Sequence, residues 1–288
     1  MDCGAKIDFP LVINQGRWVR RARLALGYAT ATVLRGRVKA IEAGNGGKPL
    51  SAADRLIVIA LVHRALKRHQ PLDHLAYLHR QLWDSDEITT YHTGVEKYFR
   101  LWFLPHQSAI VDLIERDLDC TSHDRFHTIC EIGTGSGLVL DHLQQRLGSH
   151  GITAFCGLDL CAAQVARNAT RFPQCTFVTA DACRWIPEHA SPGWIYFCCG
   201  GVLEYLPKKS VSALFAATVA RPPVRWAIVE PVDADHDFSS QKESRPYGVE
   251  NTWSHNYEDL AKQAGLTVLA RRDLDIDGVR WCMMLAGT

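Results

Sequence analysis

At 288 residues, 47% apolar and 22% charged, the chain has the composition of a globular protein and the length for one large domain or a catalytic domain with an extension. Its formal charge of +1 supplies no global field for gripping nucleic acid or an anionic membrane, so such a role needs a local patch. The longest strongly apolar stretch, 56–62, is far too short to span a bilayer, and Asp2 and Asp8 argue against a signal or transit peptide.

The first 124 residues read as a helical region. A basic amphipathic stretch spans 16–43 and is closed by Gly44-Asn45-Gly46-Gly47. Its cations (Arg17, Arg20, Arg21, Arg23, Arg35, Arg37, Lys39, with Lys48 beyond) read as a solvated helix face, with contact to an acidic partner as the alternative. Ser51 is placed to cap the next helix, with Asp54 three residues on to complete a capping box. Pro71 suits the first turn of a helix through Trp83, and two more helices are expected over 87–103 and 105–118. The polar run 120–125 reads as a linker.

From Phe126 short apolar strands alternate with helices, the pattern of βαβ units on a parallel sheet. Strands are expected at 128–132, 154–159, 176–180, 194–198 and 225–230, and helices at 138–146, 162–171 and 208–220. Asn256 can cap a helix through Ala264. Two closing strands, 267–273 and 279–286, meet at the turn Asp277-Gly278. The fold class is therefore α/β: a doubly wound, seven-stranded, mostly parallel sheet over 125–288, with a helical N-terminal extension over 1–124. Ten cysteines without CxxC or Cys/His zinc spacing read as reduced thiols, which places the chain in the cytoplasm.

The strongest local signal is Glu131-Ile-Gly133-Thr-Gly135-Ser-Gly137, directly after a strand and before a helix. Glycines there let the backbone turn sharply and lie close to a ligand, and an acid at the strand end suits a cationic group. The spacing is not the G-x-G-x-x-G of dinucleotide sites, and no P-loop is present. The next strand ends in Asp159, 22 residues past Gly137, where a carboxylate can accept both hydroxyls of a ribose. The third ends in Asp181-Ala182, where an acid can accept from the exocyclic amine of a base. Ligands of open α/β sheets sit outside the carboxyl ends of the strands, where all three acids fall.

This pattern, with Gly200-Gly-Val-Leu-Glu-Tyr-Leu-Pro207 after the fourth strand, resembles the class I S-adenosylmethionine-dependent methyltransferases of the small-molecule type. The resemblance covers about 125–288, the terminal hairpin included. It implies that Glu131, Gly133, Thr134, Gly135 and Gly137 hold the methionine end of S-adenosylmethionine, which leaves as S-adenosylhomocysteine. It further implies that Asp159 and Leu160 meet the ribose, Asp181 and Ala182 the adenine, and Cys199 and Gly200 the methionine amino group. The N-terminal helices are implied to form a lid and part of the acceptor pocket.

Two departures narrow the chemistry. The [ND]-P-P-[YF] motif of base-modifying amino-methyltransferases is replaced by Cys198-Cys-Gly-Gly201, and the metal-ligating acid of catechol-type members is missing, so no metal is expected. Asp233, Asp235, His236 and Asp237 read as a solvated acidic loop, with a metal site as the alternative.

Methyl transfer from a sulfonium depends mainly on bringing the acceptor in line. A base helps only where the acceptor must lose a proton, and His255, His92 and His106 are the candidates by position. Tyr91, Trp253 and Tyr247 are the candidate walls of an acceptor site, whereas Tyr98, Trp102 and Phe103 sit at helical spacing and read as core. The expected activity is methylation of an O or N atom of a small molecule, without membrane or nucleic-acid partners. The alternatives are a nucleic acid or protein methyltransferase using the basic N-terminal helix, and a non-catalytic S-adenosylmethionine-binding subunit.

Overall fold

The computed structural model describes residues 17–43, 51–68, 70, 74, 77–80, 98–121, 125–248, 251–276 and 278–288. Nine strands and nine α-helices are described. The strands are β1 (Thr128–Ile132), β2 (Ala154–Asp159), β3 (Thr176–Thr179), β4 (Trp194–Cys199), β5 (Val224–Val232), β6 (Arg245–Tyr247), β7 (Thr252–Ser254), β8 (Thr267–Ile276) and β9 (Val279–Gly287). The helices are α1 (Arg17–Val33), α2 (Arg35–Glu42), α3 (Ala52–Lys67), α4 (Ala109–Asp119), α5 (Leu138–Leu147), α6 (Ala162–Arg171), α7 (Ala182–His189), α8 (Lys208–Val219) and α9 (Tyr257–Gln263).

Seven strands form one sheet in the order β3-β2-β1-β4-β5-β9-β8. The first five are parallel, and β9 and β8 join antiparallel. The central strands are buried along their whole length, and their side chains alternate between two cores, as a pleated strand requires. Ile129, Ile195, Phe197, Ala227 and Val229 pack with Ile110 and Ile114 of α4 and Leu140 and Leu143 of α5. Cys130, Ile132, Tyr196, Trp226 and Ile228 pack on the other face with Leu214 and Phe215 of α8 and Leu260 of α9. The doubly wound sheet is as expected from the sequence, and the strand ends fall within three residues of expectation.

Four local features differ from the sequence reading. The stretch 16–43 breaks at Leu34 into α1 and α2. The expected helix start at Pro105 is absent: a π-helix, Phe99–Gln107, runs through that proline, and α4 begins at Ala109. The missing proline N–H breaks α-type bonding, and the wider i→i+5 winding absorbs it, as in the Ser108 amide bond to the Phe103 carbonyl. Helix α7 arises where the acid of Asp181 accepts from the Cys183 amide as an N-cap. The loop after β5 carries the small hairpin β6–β7. The expected Gly44–Gly47 breaker and the Pro71 helix start lie outside the described residues.

A third core belongs to the N-terminal helices: Ala31, Ile41, Ile57, Val58, Leu61 and Leu78 enclose Trp253 from β7. The capping box forms as expected, with the Asp54 amide donating to Ser51 Oγ and the Ser51 amide to Asp54 Oδ2. Arg37, one cation of the basic run, turns inward and binds Asp54 through Nε and Nη2 at 2.9 and 2.6 Å. Among the described residues no helix is long and apolar enough to cross a membrane.

Asp54 thus supports both the cap and the α2–α3 contact. Asp54→Ala should destabilise the start of α3 by about 1 kcal/mol, the usual worth of a lost cap. Hydrogen exchange of the amides of 52–56 should then quicken roughly fivefold. Unchanged exchange there contradicts this role.

Candidate functional site

The carboxyl ends of β3, β2, β1 and β4 lie side by side, so residues widely spaced in sequence share one rim. After β1 the chain turns back on itself, with the amides of Gly133 and Thr134 donating to the Leu158 carbonyl at 2.8 and 3.0 Å. Gly133 has φ +72°, and a Cβ there would lie 2.5 Å from Val202 Cγ2. Glycine is therefore required both by the backbone angle and by the approach of the 200–207 segment.

Glu131 stands at the centre of this rim with 3% exposure. The Thr134 hydroxyl donates to its Oε2 at 2.5 Å. Loss of solvent raises its pKa to about 8, with the nearby Asp159 charge adding to the rise and the Thr134 bond opposing it. Among the described residues no basic side chain hydrogen-bonds this carboxyl. A desolvated acid so placed suits a cationic ligand group.

Asp159 accepts from the Gly135 amide on Oδ2 (2.8 Å) and from the Cys161 amide on Oδ1 (2.9 Å). Burial raises its pKa, and the amides of Cys161, Gly135 and Leu160 pull it back. Asn168 of α6 donates to the Gly135 carbonyl at 2.8 Å and so fixes the glycine turn from behind. Asp181 accepts from the Cys183 amide and, at 2.8 Å, from Arg80. Ala182 opens α7 beside it. After β4, the buried Cys199 leads into Gly200 and Gly201, both with positive φ. The glycine turn with Thr134, Glu131, Asp159, Leu160, Asp181, Ala182, Cys199 and Gly200 are thus gathered on one rim.

Two further acids, not singled out from the sequence, complete this edge. Glu230, fully buried in β5, accepts from the amides of Val202, Leu203 and Glu204 and so caps the short turn Leu203–Tyr205. Burial raises its pKa to about 7 against the pull of those amides. Glu204 accepts from Tyr247 Oη at 2.6 Å and Thr252 Oγ1 at 2.7 Å, tying the β6–β7 hairpin to the 200–207 segment. The signal was present in the sequence, since both acids fall at or just beyond a strand's carboxyl end.

The N-terminal region lies over the same rim. His79 packs edge-on against Tyr205 at 5.6 Å, and its neighbour Arg80 reaches Asp181. The Tyr98 hydroxyl lies 3.2 Å from where a Cβ of Gly200 would stand. Tyr98 was read as core; it stands partly buried against the sheet core and also touches the rim.

The acceptor-side candidates are placed differently. His255 is fully buried, its Nε2 on the Leu206 carbonyl (3.0 Å) and its Nδ1 on Ser244 Oγ (2.6 Å). A carbonyl only accepts, so Nε2 carries the proton and Nδ1 receives the Ser244 hydroxyl. Burial lowers its pKa to about 4. Its ring is therefore neutral and fully engaged in holding the loop. Trp253 is enclosed by the helical core, and Tyr247 donates inward to Glu204, so neither forms an open wall. His106 is exposed on the π-helix, while Tyr91 and His92 lie outside the described residues. Of the acidic loop, Asp233 pairs with Arg245 and Asp237 accepts from Ser239 and Ser240.

Residues 129–221 match the methyltransferase domain family. No curated protein is significantly similar to the chain. Among solved structures, a TehB-like SAM-dependent methyltransferase from Corynebacterium glutamicum is similar at 14% identity and TM-score 0.48, over 69% of this chain and 97% of that one. Magnesium protoporphyrin IX methyltransferase from Synechocystis, with bound SAH, is similar at 14% identity and TM-score 0.48, over 70% and 96% of the two chains. A 1,6-didemethyltoxoflavin-N1-methyltransferase from Burkholderia thailandensis gives 14% identity and TM-score 0.47, over 70% and 89%. Glu131, the glycine turn, Asp159 and Asp181 all fall within 129–221, so the segment that matches the methyltransferase domain family is the one that builds this rim.

Proposed function

We propose that the enzyme methylates an O or N atom of a small-molecule acceptor, with 125–288 holding the donor and the N-terminal helices enclosing the acceptor. The observation that carries this reading is the contact of His79, Arg80 and Tyr98 with the rim, which favours an enclosed acceptor over an open track for a polymer.

In this reading Glu131 receives the donor's ammonium, and the turn of Gly133, Thr134, Gly135 and Gly137 lies along its methionine end. Asp159, beside Leu160, receives the ribose hydroxyls. Asp181 and the Ala182 amide meet the adenine, with Arg80 steadying the acid. Cys199 and Gly200 pass beside the methionine end from the β4 side. The donor supplies a methyl group already activated on sulfur. The chain contributes alignment: rigid elements hold the donor so that an acceptor atom stands in line with the methyl group, and water is kept out by the helical cover. His255 has no part as a base, since both its ring nitrogens are engaged.

Asp159→Ala should weaken binding of S-adenosylhomocysteine by about tenfold or more, because a bidentate charge-assisted contact is worth roughly 1.5–3 kcal/mol. Unchanged affinity by calorimetry contradicts the ribose assignment.

Glu131 gives a pH signature. Its folded pKa of about 8 lies above its ordinary 4.5, so folding favours the protonated form, and the empty protein loses stability as pH rises through that window. Pairing with an ammonium requires the ionised form, so donor binding should release a proton. Calorimetry at about pH 7 in buffers of different ionisation heat should show release approaching one proton, lost in Glu131→Gln. Binding without proton release removes Glu131 from the ammonium site.

A further inference from the structure

The π-helix Phe99–Gln107 carries a polar pair that the donor assignments above leave unused. Tyr98 Oη donates to Gln107 Oε1 at 2.6 Å. Residues nine apart fall on opposite faces of an α-helix, since nine residues make two and a half turns at 3.6 residues each. The wider winding of a π-helix brings them back to one face. The unusual helix therefore places Gln107 beside Tyr98, and the Tyr98 hydroxyl in turn approaches Gly200, whose missing side chain leaves that approach open.

Gln107 is fully buried, and its Nε2 has no hydrogen-bond partner among the described residues. A buried N–H left unpaired costs free energy, so an oxygen supplied by a ligand would satisfy it. The charge inventory of the rim points to which oxygen. A zwitterionic methionine end presents an ammonium and a carboxylate. The β1 and β2 ends offer Glu131 and Asp159 for the first, but among the described residues the β1, β2 and β4 ends offer no cation for the second. Arg80 stands on Asp181 beyond β3, at the nucleoside end of the row.

We propose that the Gln107 carboxamide, oriented by Tyr98, donates a hydrogen bond to the α-carboxylate of the donor. The proposal rests on the donor-site reading above. It makes a neutral amide, rather than an arginine or lysine, the group that recognises the amino-acid tail.

The test compares two ligands on the full chain: S-adenosylhomocysteine and its analogue lacking the α-carboxylate. The wild-type protein should bind the first about tenfold or more tightly than the second. Gln107→Leu should lose most of that preference while binding the decarboxylated analogue within about twofold of wild type, and Gln107→Glu should bind S-adenosylhomocysteine more weakly still by charge repulsion. Tyr98→Phe keeps the ring and should lose part of the same preference, which serves if a Gln107 variant fails to fold. Equal loss for both ligands, or no loss for either, overturns the proposal. Wild-type protein that binds neither ligand overturns the donor-site reading itself, and the proposal with it.

Discussion

Carboxylates taken out of water must be met by donors or cations, and the site is organised around how each rim acid is met. Glu230 is met by the amides of 202–204, Glu204 by the hydroxyls of Tyr247 and Thr252, and Asp159 by the amides of Gly135 and Cys161 with help from Leu160. Asp181 has an amide and an arginine. Glu131 has the Thr134 hydroxyl and help from the Leu140 amide, yet is still driven to about 8. The acids at the β4–β5 side thus hold loops together. The one at the centre of the row, Glu131, is driven furthest from its ordinary value, and it stands beside the glycine turn.

Among the described residues, the N-terminal helices and the sheet domain are joined through the β6–β7 hairpin and the rim. Trp253 of the hairpin is built into the N-terminal helical core, and the hairpin is tied to the 200–207 segment through Glu204. That segment is in turn fixed by Glu230 in β5. A chain of buried groups therefore runs from the helices through the hairpin to the loop beside Gly200. His79, Arg80 and Tyr98 close the circuit from the other side.

Much of this was legible in the sequence where local rules decide. Short apolar runs at 128–132 and 194–198 between helical stretches marked strands whose two faces feed two cores, and Ser51 with Asp54 marked a helix start that forms as written. The acids at successive strand ends could be read because a parallel sheet brings those ends to one edge. What escaped depends on distant partners. The hairpin strands are three residues each, too short to show a period, and with the hairpin unseen His255 read as a loop histidine near the pocket mouth. Its burial follows from Ser244 and the Leu206 carbonyl closing on it. The π-helix was hidden because Pro105 resembles a helix start, and Gln107 stood out only once nine residues of wider winding set it beside Tyr98.

The central claim is that the row of strand ends from β3 to β4 forms a single donor-binding edge. Hydrogen exchange on the full chain, with and without saturating S-adenosylhomocysteine, reads that edge directly. The account predicts slowed exchange at the amides of 133–140, 160–161, 182–183 and 200–202, four segments far apart in sequence responding to one ligand, with further protection only in the N-terminal elements that touch the rim, 79–80 and 98–107. No protection of the four strand-end segments at millimolar ligand, or protection spread over elements away from this rim, contradicts it.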